Sequence, residues 1–463
     1  MRSTILKYGR FFSLFILCFA KCTPSPAQDT LRVMSYNVLN YGAYPLCDPS
    51  VSNGKLHSYL SAIVQFANPD IIGLVKTGSI QCPGANSWNA PIGFADSILD
   101  FAMNTAYPAR YAYCPLSNIS SANTMSVLFY NKQKLGYIAL TSDYANTTDF
   151  LTYKLYYKDP NLATTLDTTF LYITLGHDQS GTTAQSLTLR HQQIAGEMQQ
   201  IQSHFTHLPN MINMGDFNVR SSLDSAYITL ISPTDTDFRF FDPPFNDGIV
   251  TYPATWDNNP NPYASFLSTS THAVVMNNCD VGGGAKDWYD HIFVSPWIAK
   301  NTNYITYIPH SFRAVGNDGN RIGVAVNSPA NTSAPVNVIN ALLGMSDKYP
   351  VMLDLAVTYN TSGISPVDPE IPLGVSNTKL LGGNISIVNP VSEQLTIYVP
   401  NSLLGQKIIV DCYDELGRKM IDIDVFISKQ KLQLPCSLHT GIYFIQLRSE
   451  GNNVLYKGAI VKQ

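Results

Sequence analysis

Seven nearly continuous apolar runs in the first 358 residues constrain the fold more than any other feature of this sequence. They are LRVMSYN, IIGLVK, SVLFYN, FLYITLGH, MINMGDFN, DHIFVS and PVMLDLAV, at 31–37, 71–76, 126–131, 170–177, 211–218, 290–295 and 350–357. Apolar runs without alternation are typical of β-strands covered on both faces. Residues 57–67 and 186–205 instead have the spacing of amphipathic helices. This alternation predicts a layered α/β domain.

A change of composition divides the chain. Residues 359–383 are rich in Gly, Pro, Ser and Asn and lack periodicity, which predicts a linker. A large domain over residues 28–358 precedes it. Residues 384–463 follow it and contain short strand-like runs separated by turns. Such spacing predicts a small all-β sandwich.

The N-terminus has the pattern of an export signal. Three basic residues precede the apolar run 11–20, and small residues at 25–27 supply a cleavage site. We therefore expect residues 1–27 to be a secretory signal peptide. No apolar run reaches the length of about 18 residues that a membrane helix needs, so no transmembrane segment is expected in the mature chain.

Charge excludes one class of function. Charged residues are only 13% of the chain, about half the usual share, which excludes a generally basic protein that coats nucleic acid. Without residues 1–27 the chain has 25 basic and 33 acidic residues. Any anion must therefore be bound by a few well-placed side chains. Arg190, His191 and Glu197, on the longer helical stretch, are expected to face solvent.

Six cysteines remain after the expected signal peptide, and export permits disulfides. Cys412 and Cys436 are candidates for one bridge, and Cys47 and Cys82 for another. The alternative, given equal weight, is that the cysteines are small buried apolar side chains. No CxxC or Cys/His spacing predicts a zinc site.

Polar side chains end several of the apolar strands. Asn37, Lys76 and His177 each end a strand, and Asp216 and Asn218 end another. Ligands of α/β proteins bind at such strand ends. Asp216 and Asn218 are two positions apart, so on an extended chain they point to one side, and their oxygens suit a hard cation or a phosphate-bound water. A turn after the strand is the alternative interpretation.

In order and spacing, the strings MSYNV, PDIIGL, HDQSG, GDFN, YDHIFVS and MSDKYPV resemble the endonuclease/exonuclease/phosphatase superfamily over about residues 30–358. The resemblance implies a four-layer α/β sandwich, with two mixed sheets flanked by helices. It also implies hydrolysis of a phosphate ester or nucleic acid with Mg²⁺ or Mn²⁺. The candidate site residues that it carries over are Asn37 and Asp347 at the metal, His177 at the phosphate, Asp216 and Asn218 at the attacking water, and Asp290 beside the catalytic base.

Two positions depart from the family pattern, and both carry lysine. Where the family has Gln-Glu after DIIGL, this chain has Val75-Lys76, so the main metal-ligand Glu is missing. Where the family ends its motifs with Ser-Asp-His, this chain has Ser346-Asp347-Lys348, so the catalytic His is missing. No acidic residue or histidine nearby in the sequence replaces them.

The lysines oppose metal binding. At an effective dielectric of 20, a divalent ion 4 Å from an ammonium group is repelled by about 8 kcal/mol. We hypothesise that Lys76 occupies the metal space and pairs with Asp347 or Asp216, so that a metal at Asn37 and Asp347 is weakened or absent. The alternative is a decayed site whose lysines point to water.

Three functions follow from these observations. The first is a weak or inactive phosphodiesterase-like protein that binds a phosphate-bearing ligand. The second is an active extracellular metal-dependent nuclease or phosphoesterase with a rearranged site. The third is a cell-surface interaction module.

The last 80 residues resemble the type A C-terminal sorting domains of the type IX secretion system. Asn389-Pro390, Gly417 and the Gly441-Ile442-Tyr443 string match the motifs of such domains in order. The resemblance implies the outer-membrane secretion machinery as a partner. It also implies export through the periplasm and outer membrane, with release or attachment at the cell surface. A sandwich that binds carbohydrate or the cell surface is the alternative.

Overall fold

The computed structural model describes residues 28–42, 50–78, 94–257, 259–361, 385–388, 391–414, 418–449 and 454–462. The expected signal peptide, most of the expected linker and the Cys47–Cys82 pair lie outside the described residues, as do Asn389, Pro390 and Gly417.

The strands of the large domain include one at each of the seven predicted apolar runs. They are β1 (Gln28–Tyr41), β2 (Ile71–Gly78), β3 (Tyr111–Tyr113), β4 (Thr124–Asn131), β5 (Leu135–Asn146), β6 (Thr148–Tyr157), β7 (Phe170–His177), β8 (Met211–Asp216), β9 (Asp290–Val294), β10 (Ile305–Tyr307), β11 (Arg313–Ala314) and β12 (Val351–Thr358). The first sheet has the order β10-β12-β1-β2-β4-β3, with β11 also paired to β12. The second has the order β5-β6-β7-β8-β9. Both are mixed, because β1 and β2 are parallel, as are β7 and β8, while the other pairs are antiparallel.

The helices begin and end at residues suited to their caps. They are α1 (Asn53–Ala67), α2 (Ala95–Ile98), α3 (Asn104–Ala106), α4 (Leu162–Thr165), α5 (Ala184–His204), α6 (Ser225–Ile231), α7 (Pro243–Asn246), α8 (Pro296–Lys300) and α9 (Val336–Met345). Ser52 caps α1 by accepting from the backbone N–H of Lys55, and the left-handed Asn68 ends it. Among the described residues, no helix is long and apolar enough to cross a membrane.

The two sheets of the large domain pack face to face. Gly73 on β2 lies so close to the second sheet that an added Cβ would be 2.6 Å from the Met214 side chain and 2.7 Å from that of Leu175. Because the inner faces of the sheets meet here, the helices cover the outer faces: α1 packs beside α9, and α5 beside α6. The expected four-layer α/β sandwich is confirmed.

Strand direction brings the predicted polar positions to one edge of both sheets. The start of β12 lies beside the end of β1, with Val351 opposite Ser35. In the second sheet, Asp216 at the end of β8 lies opposite both His177 on β7 and Asp290 on β9. The C-terminal parts of β1, β2, β7 and β8 therefore converge with the start of β9 and with the residues before β12.

The small domain consists of β13 (Ser386–Ile387), β14 (Gln394–Tyr398), β15 (Lys407–Tyr413), β16 (Lys419–Phe426), β17 (Lys431–Pro435), β18 (Gly441–Ser449) and β19 (Val454–Lys462). They form two antiparallel sheets of orders β13-β14-β17 and β16-β15-β18-β19. A separate apolar core includes Leu395 and Ile397 of one sheet and Val410 and Leu447 of the other. The expected all-β architecture is confirmed.

Of the two alternatives for Cys412 and Cys436, the bridge is wrong and the buried apolar side chain is confirmed. Cys412 and Cys436 form no bridge; both are free and buried in the apolar core of the small domain. Burial raises the pKa of the Cys412 thiol to about 11, so it packs as a neutral, apolar group. Cys114 is also free and buried, whereas Cys279 is disulfide-bonded.

The prediction for the polar face of α5 is wrong. Arg190 and Glu197 are buried instead of exposed. Arg190 Nη2 donates to Asp224 Oδ2 at 3.0 Å, and Glu197 Oε1 accepts from Asn213 Nδ2 at 2.6 Å. Burial is tolerated because each of the two side chains has at least one polar partner on a neighbouring element, which sequence spacing alone does not reveal.

Candidate functional site

A cleft of about 510 Å³ opens at the edge where the strand ends converge. All but one of the site residues expected from the sequence line it. They are Asn37, Lys76, His177, Asp216, Asn218, Asp347 and Lys348. Asp290 is fully buried and lies beside Asp216 in the sheet. The tertiary structure thus brings the predicted set together.

The two sheets are joined directly at the floor of the cleft. Asn37 Nδ2 donates a hydrogen bond to Asp216 Oδ2 at 2.8 Å, and Asn37 Oδ1 accepts from the backbone N–H of Leu39 at 3.0 Å. Ser346 Oγ donates to the backbone oxygen of Asn37 at 2.7 Å. Asn37 therefore connects β1 both to the second sheet and to the residues before β12.

Asp216 and Asn218 of the GDFN string belong both to a turn after the strand and to the candidate site, which were the two interpretations of this string. The backbone N–H of Asn218 donates to Asp216 Oδ1 at 3.1 Å, which makes an Asx turn, and Asn218 has a φ of 52°. Asn218 Nδ2 donates to the backbone oxygen of Asp178 at 3.0 Å. The segment is thus a turn, and it also lines the cleft.

Lys348 is held as a cation by carboxylates. Its Nζ lies 3.4 Å from Asp347 Oδ2 and 5.6 Å from the centre of the Tyr289 ring. Burial by itself would lower the pKa of Lys348, but Asp347, Asp216 and Asp290 together raise it above its ordinary value. The resulting positive charge makes Lys348 unsuitable as a general base near neutral pH.

Lys76 is arranged differently. It has a left-handed φ of 60° and lies where β2 changes register against β4, between Leu74 and Thr77. Among the residues that the structure describes, no ion pair reaches Lys76, so the hypothesis of a direct pair with Asp347 or Asp216 is wrong; Lys348 makes the pair with Asp347 instead. Burial, followed by the charge of Lys348, lowers the pKa of Lys76.

The pKa values of Asp290 and His177 are shifted so that both side chains favour their neutral forms. Burial and then Asp216 raise the pKa of Asp290 well above its usual range, although Ser268 Oγ donates to its Oδ2 at 2.6 Å. Burial lowers the pKa of His177 to about 4, and the two cleft lysines add to this shift. His177 is therefore a neutral imidazole near neutral pH.

The side chains present do not fit the divalent metal that the resemblance implies. Nowhere in the described part of the chain do three His, Cys, Asp or Glu side chains lie together as metal ligands would. Asn37 Oδ1 is already bonded to Leu39, and Asp347 Oδ2 accepts from the backbone N–H of Val281 at 3.0 Å as well as from Lys348. Asp347 Oδ1 is buried without a partner, but one free oxygen beside an ammonium group does not make a site.

The residues at the rim of the cleft are not predicted from the sequence. Arg220 Nη1 pairs with Asp257 Oδ1 at 3.1 Å, and its guanidinium lies 5.3 Å from the Tyr289 ring centre. Lys286 and Asp287 line the same rim. Arg220 follows Asn218 by two residues, so its position after the strand was a usable signal. Lys286 follows a glycine-rich loop, and nothing in its sequence context indicates the site.

Residues 389–462 match the family model described as "Secretion system C-terminal sorting domain". The small domain is a secretion sorting domain. It marks the protein for export to the outer membrane or cell surface, as expected from the sequence. Among curated proteins, none matches this chain.

Solved structures similar to this chain include an endonuclease/exonuclease/phosphatase from Beutenbergia cavernae, which is 12% identical. The match covers 93% of this chain and 99% of that chain, with a TM-score of 0.39. TDP2 from Caenorhabditis elegans is 13% identical, with coverages of 71% and 74% and a TM-score of 0.42. An AP endonuclease from Archaeoglobus fulgidus is 12% identical, with coverages of 70% and 98% and a TM-score of 0.37. At such values these likenesses carry no functional conclusion for this chain.

Proposed function

We propose that the large domain is an exported nuclease- or phosphatase-like protein that binds a phosphate ester, nucleic acid included, and that hydrolyses it weakly or not at all. The position of Lys348 carries this proposal. Its ammonium group is fixed by Asp347 at the floor of an open cleft. A fixed ammonium group suits phosphate oxygens because such charge-assisted hydrogen bonds are among the stronger polar contacts in proteins.

Neighbouring groups support an anion in this place. Lys76 and Lys286 also line the cleft, and in the described part of the chain neither is taken up by an ion pair. His177 is neutral near neutral pH, so its imidazole N–H can donate a hydrogen bond to the anion without adding a charge to the cleft. The proposed ligand is therefore held by lysines where the related family would use a metal ion.

Titration calorimetry on the mature full-length protein tests the binding. Inorganic phosphate, dimethyl phosphate and a short single-stranded oligonucleotide are the probes. We expect Lys348→Met to weaken binding at least tenfold and Lys286→Met to weaken it less. Lys158→Met, which removes an exposed cation elsewhere, is the matched control and should bind as wild type does. Absence of binding to all three probes by the wild type contradicts the proposal.

Hydrolysis is tested separately with DNA, RNA and a generic phosphodiester in Mg²⁺, Mn²⁺ and Ca²⁺. We expect little wild-type activity and a gain in the double variant Lys76→Glu, Lys348→His, which restores the family's residue types. Robust wild-type activity that a chelator abolishes would establish the alternative function, an active enzyme with a rearranged metal site.

A further inference from the structure

The cleft contains two amines in different surroundings, and only one is held by a carboxylate. Lys348 Nζ is 3.4 Å from Asp347 Oδ2. Lys76 also lines the cleft, but within the described residues its Nζ has neither a salt bridge nor a hydrogen bond. We infer that Lys76 is a nucleophilic amine that forms an imine with the carbonyl group of a phosphate-bearing aldehyde or ketone.

A free amine in a cleft becomes a nucleophile when it is partly desolvated and has a second cation beside it. Lys76 is half-buried, and Lys348 supplies the second cation. The other charged groups that act on Lys76 are Asp216 and Asp347, which favour its protonated form. Burial and Lys348 outweigh them and lower the pKa of Lys76. Asp347 is already paired with Lys348, so its carboxylate does not form an ion pair with Lys76.

The formation of the imine requires only groups that the cleft already contains. The unprotonated Nζ of Lys76 adds to the carbonyl carbon, and the product is a carbinolamine. During the addition one amine proton passes to the carbonyl oxygen. The remaining N–H proton is then transferred to that hydroxyl group, the C–O bond breaks, and the oxygen leaves as water while the C=N bond forms. His177, neutral because its pKa is about 4, is placed at the cleft to pass a proton from nitrogen to the departing oxygen. No oxidant or reductant is consumed.

This inference rests on the proposed function for its choice of ligand, because Lys348 would hold the phosphate and so place the carbonyl group near Lys76. Two sources share the chemistry of a carbonyl close to a phosphate. One is a small aldehyde phosphate, and the other is the ring-opened sugar at an abasic site of a nucleic acid.

Reductive trapping tests the inference. The mature full-length protein is incubated with cyanoborohydride and one of three aldehydes: glycolaldehyde phosphate, glycolaldehyde, or an oligonucleotide with one abasic site. Peptide mass mapping then locates the reduced amine. We expect Lys76 to be modified at least tenfold faster than Lys286, which lines the same cleft. Lys76→Arg, which keeps the charge, should lose this adduct. The faster of the two phosphate-bearing probes identifies the source.

The outcomes separate this inference from the proposed function. Faster trapping with glycolaldehyde phosphate than with glycolaldehyde supports both. Equal trapping at Lys76 with both supports the imine and contradicts the phosphate site. Labelling of Lys76 no faster than of Lys286, or no adduct at Lys76 with any probe, overturns the inference even if phosphate binds. Lys348→Met should move the pH midpoint of trapping upwards, because it removes the neighbouring cation; an unchanged midpoint also counts against the inference.

Discussion

The amide of Asn37 donates a hydrogen bond to the carboxylate of Asp216 over 2.8 Å, and this bond joins the two sheets at the floor of the cleft. Both residues are almost fully buried. If either side chain lost its partner, water could not easily take its place, and the unpaired polar group would lower the stability of the fold. The same Asn37 accepts from Ser346 through its backbone oxygen. Asn37 therefore both holds the floor of the cleft in place and contributes to the stability of the fold.

Replacing Asn37 by Ala should destabilise the fold by about 1–3 kcal/mol, because Asp216 Oδ2 loses its donor in a buried place. Asn37→Asp should cost more, since two carboxylates would then face each other. Urea unfolding of a protein that comprises residues 28–463 measures both. Asn320→Ala, at an exposed loop position, is the control and should change stability by less than about 0.5 kcal/mol. Equal stability of Asn37→Ala and wild type would contradict this account of the floor.

Position 215 requires glycine because the backbone of the neighbouring strand lies too close to leave room for a Cβ atom. A Cβ at this position would lie 1.9 Å from the backbone oxygen of Gly176 on the neighbouring strand. We expect Gly215→Ala to cost more than about 3 kcal/mol or to prevent folding, because backbone cannot yield as a side chain can. Gly248→Ala is the matched control; it also has a positive φ, but nothing lies within 4 Å of an added Cβ. Thermal unfolding compares the two, and similar losses would sink the prediction.

The two cleft lysines should differ in their effect on stability. Lys348→Met leaves Asp347 buried without its cation, and breaking such a pair typically costs about 3–5 kcal/mol. Lys76→Met breaks no ion pair among the described residues, so it should be nearly neutral or slightly stabilising. Denaturant midpoints of both variants test this contrast. A larger loss for Lys76→Met than for Lys348→Met would show that the pairing is assigned to the wrong lysine.

Glu197 should make stability fall as the pH rises. Burial raises the pKa of Glu197 from 4.5 to about 8 in the folded protein. Below pH 4.5 Glu197 is protonated in both the folded and the unfolded state, and its full contribution to the free energy of unfolding is present. Between pH 4.5 and about 8 only the unfolded state releases the proton, so the contribution is lost by about 1.4 kcal/mol per pH unit. Unfolding of wild type and Glu197→Gln between pH 5 and 8 measures this. The wild type should lose stability relative to the variant; a constant difference would contradict the prediction.

Divalent metal should not stabilise the wild-type protein. A ligand that binds only the folded state raises its stability by RT ln(1 + [L]/Kd), and the ammonium group of Lys348 at the floor opposes such binding. We expect no shift of the melting temperature on addition of Mg²⁺ or Mn²⁺, and a positive shift for the double variant Lys76→Glu, Lys348→His. A chelator should reverse the shift in the variant. A metal-dependent shift in the wild type would refute this expectation.

Much of the fold follows from the sequence because its signals are local. The seven apolar runs predicted seven strands of the large domain, and the capped helical stretches predicted α1 and α5. The positions of His177 and Asp216 at strand ends were enough to place them at one edge, since parallel neighbours end together. Asn37 belongs to the other sheet, and the packing of the two sheets brings it beside Asp216. The rim residue Lys286 escaped prediction because it lies in a loop, where no periodicity indicates direction.

The layered α/β architecture, the sorting domain and most residues of the cleft, including Lys76 and Lys348, follow from the amino-acid sequence alone. The roles of those residues depend on their contacts in the folded protein. Lys348, and not Lys76, pairs with Asp347, while Arg190 is buried against Asp224 and Cys412 remains a free thiol. Each outcome depends on which partner lies within a few ångströms and on how much water is excluded there. Those quantities are set by elements far apart in the chain.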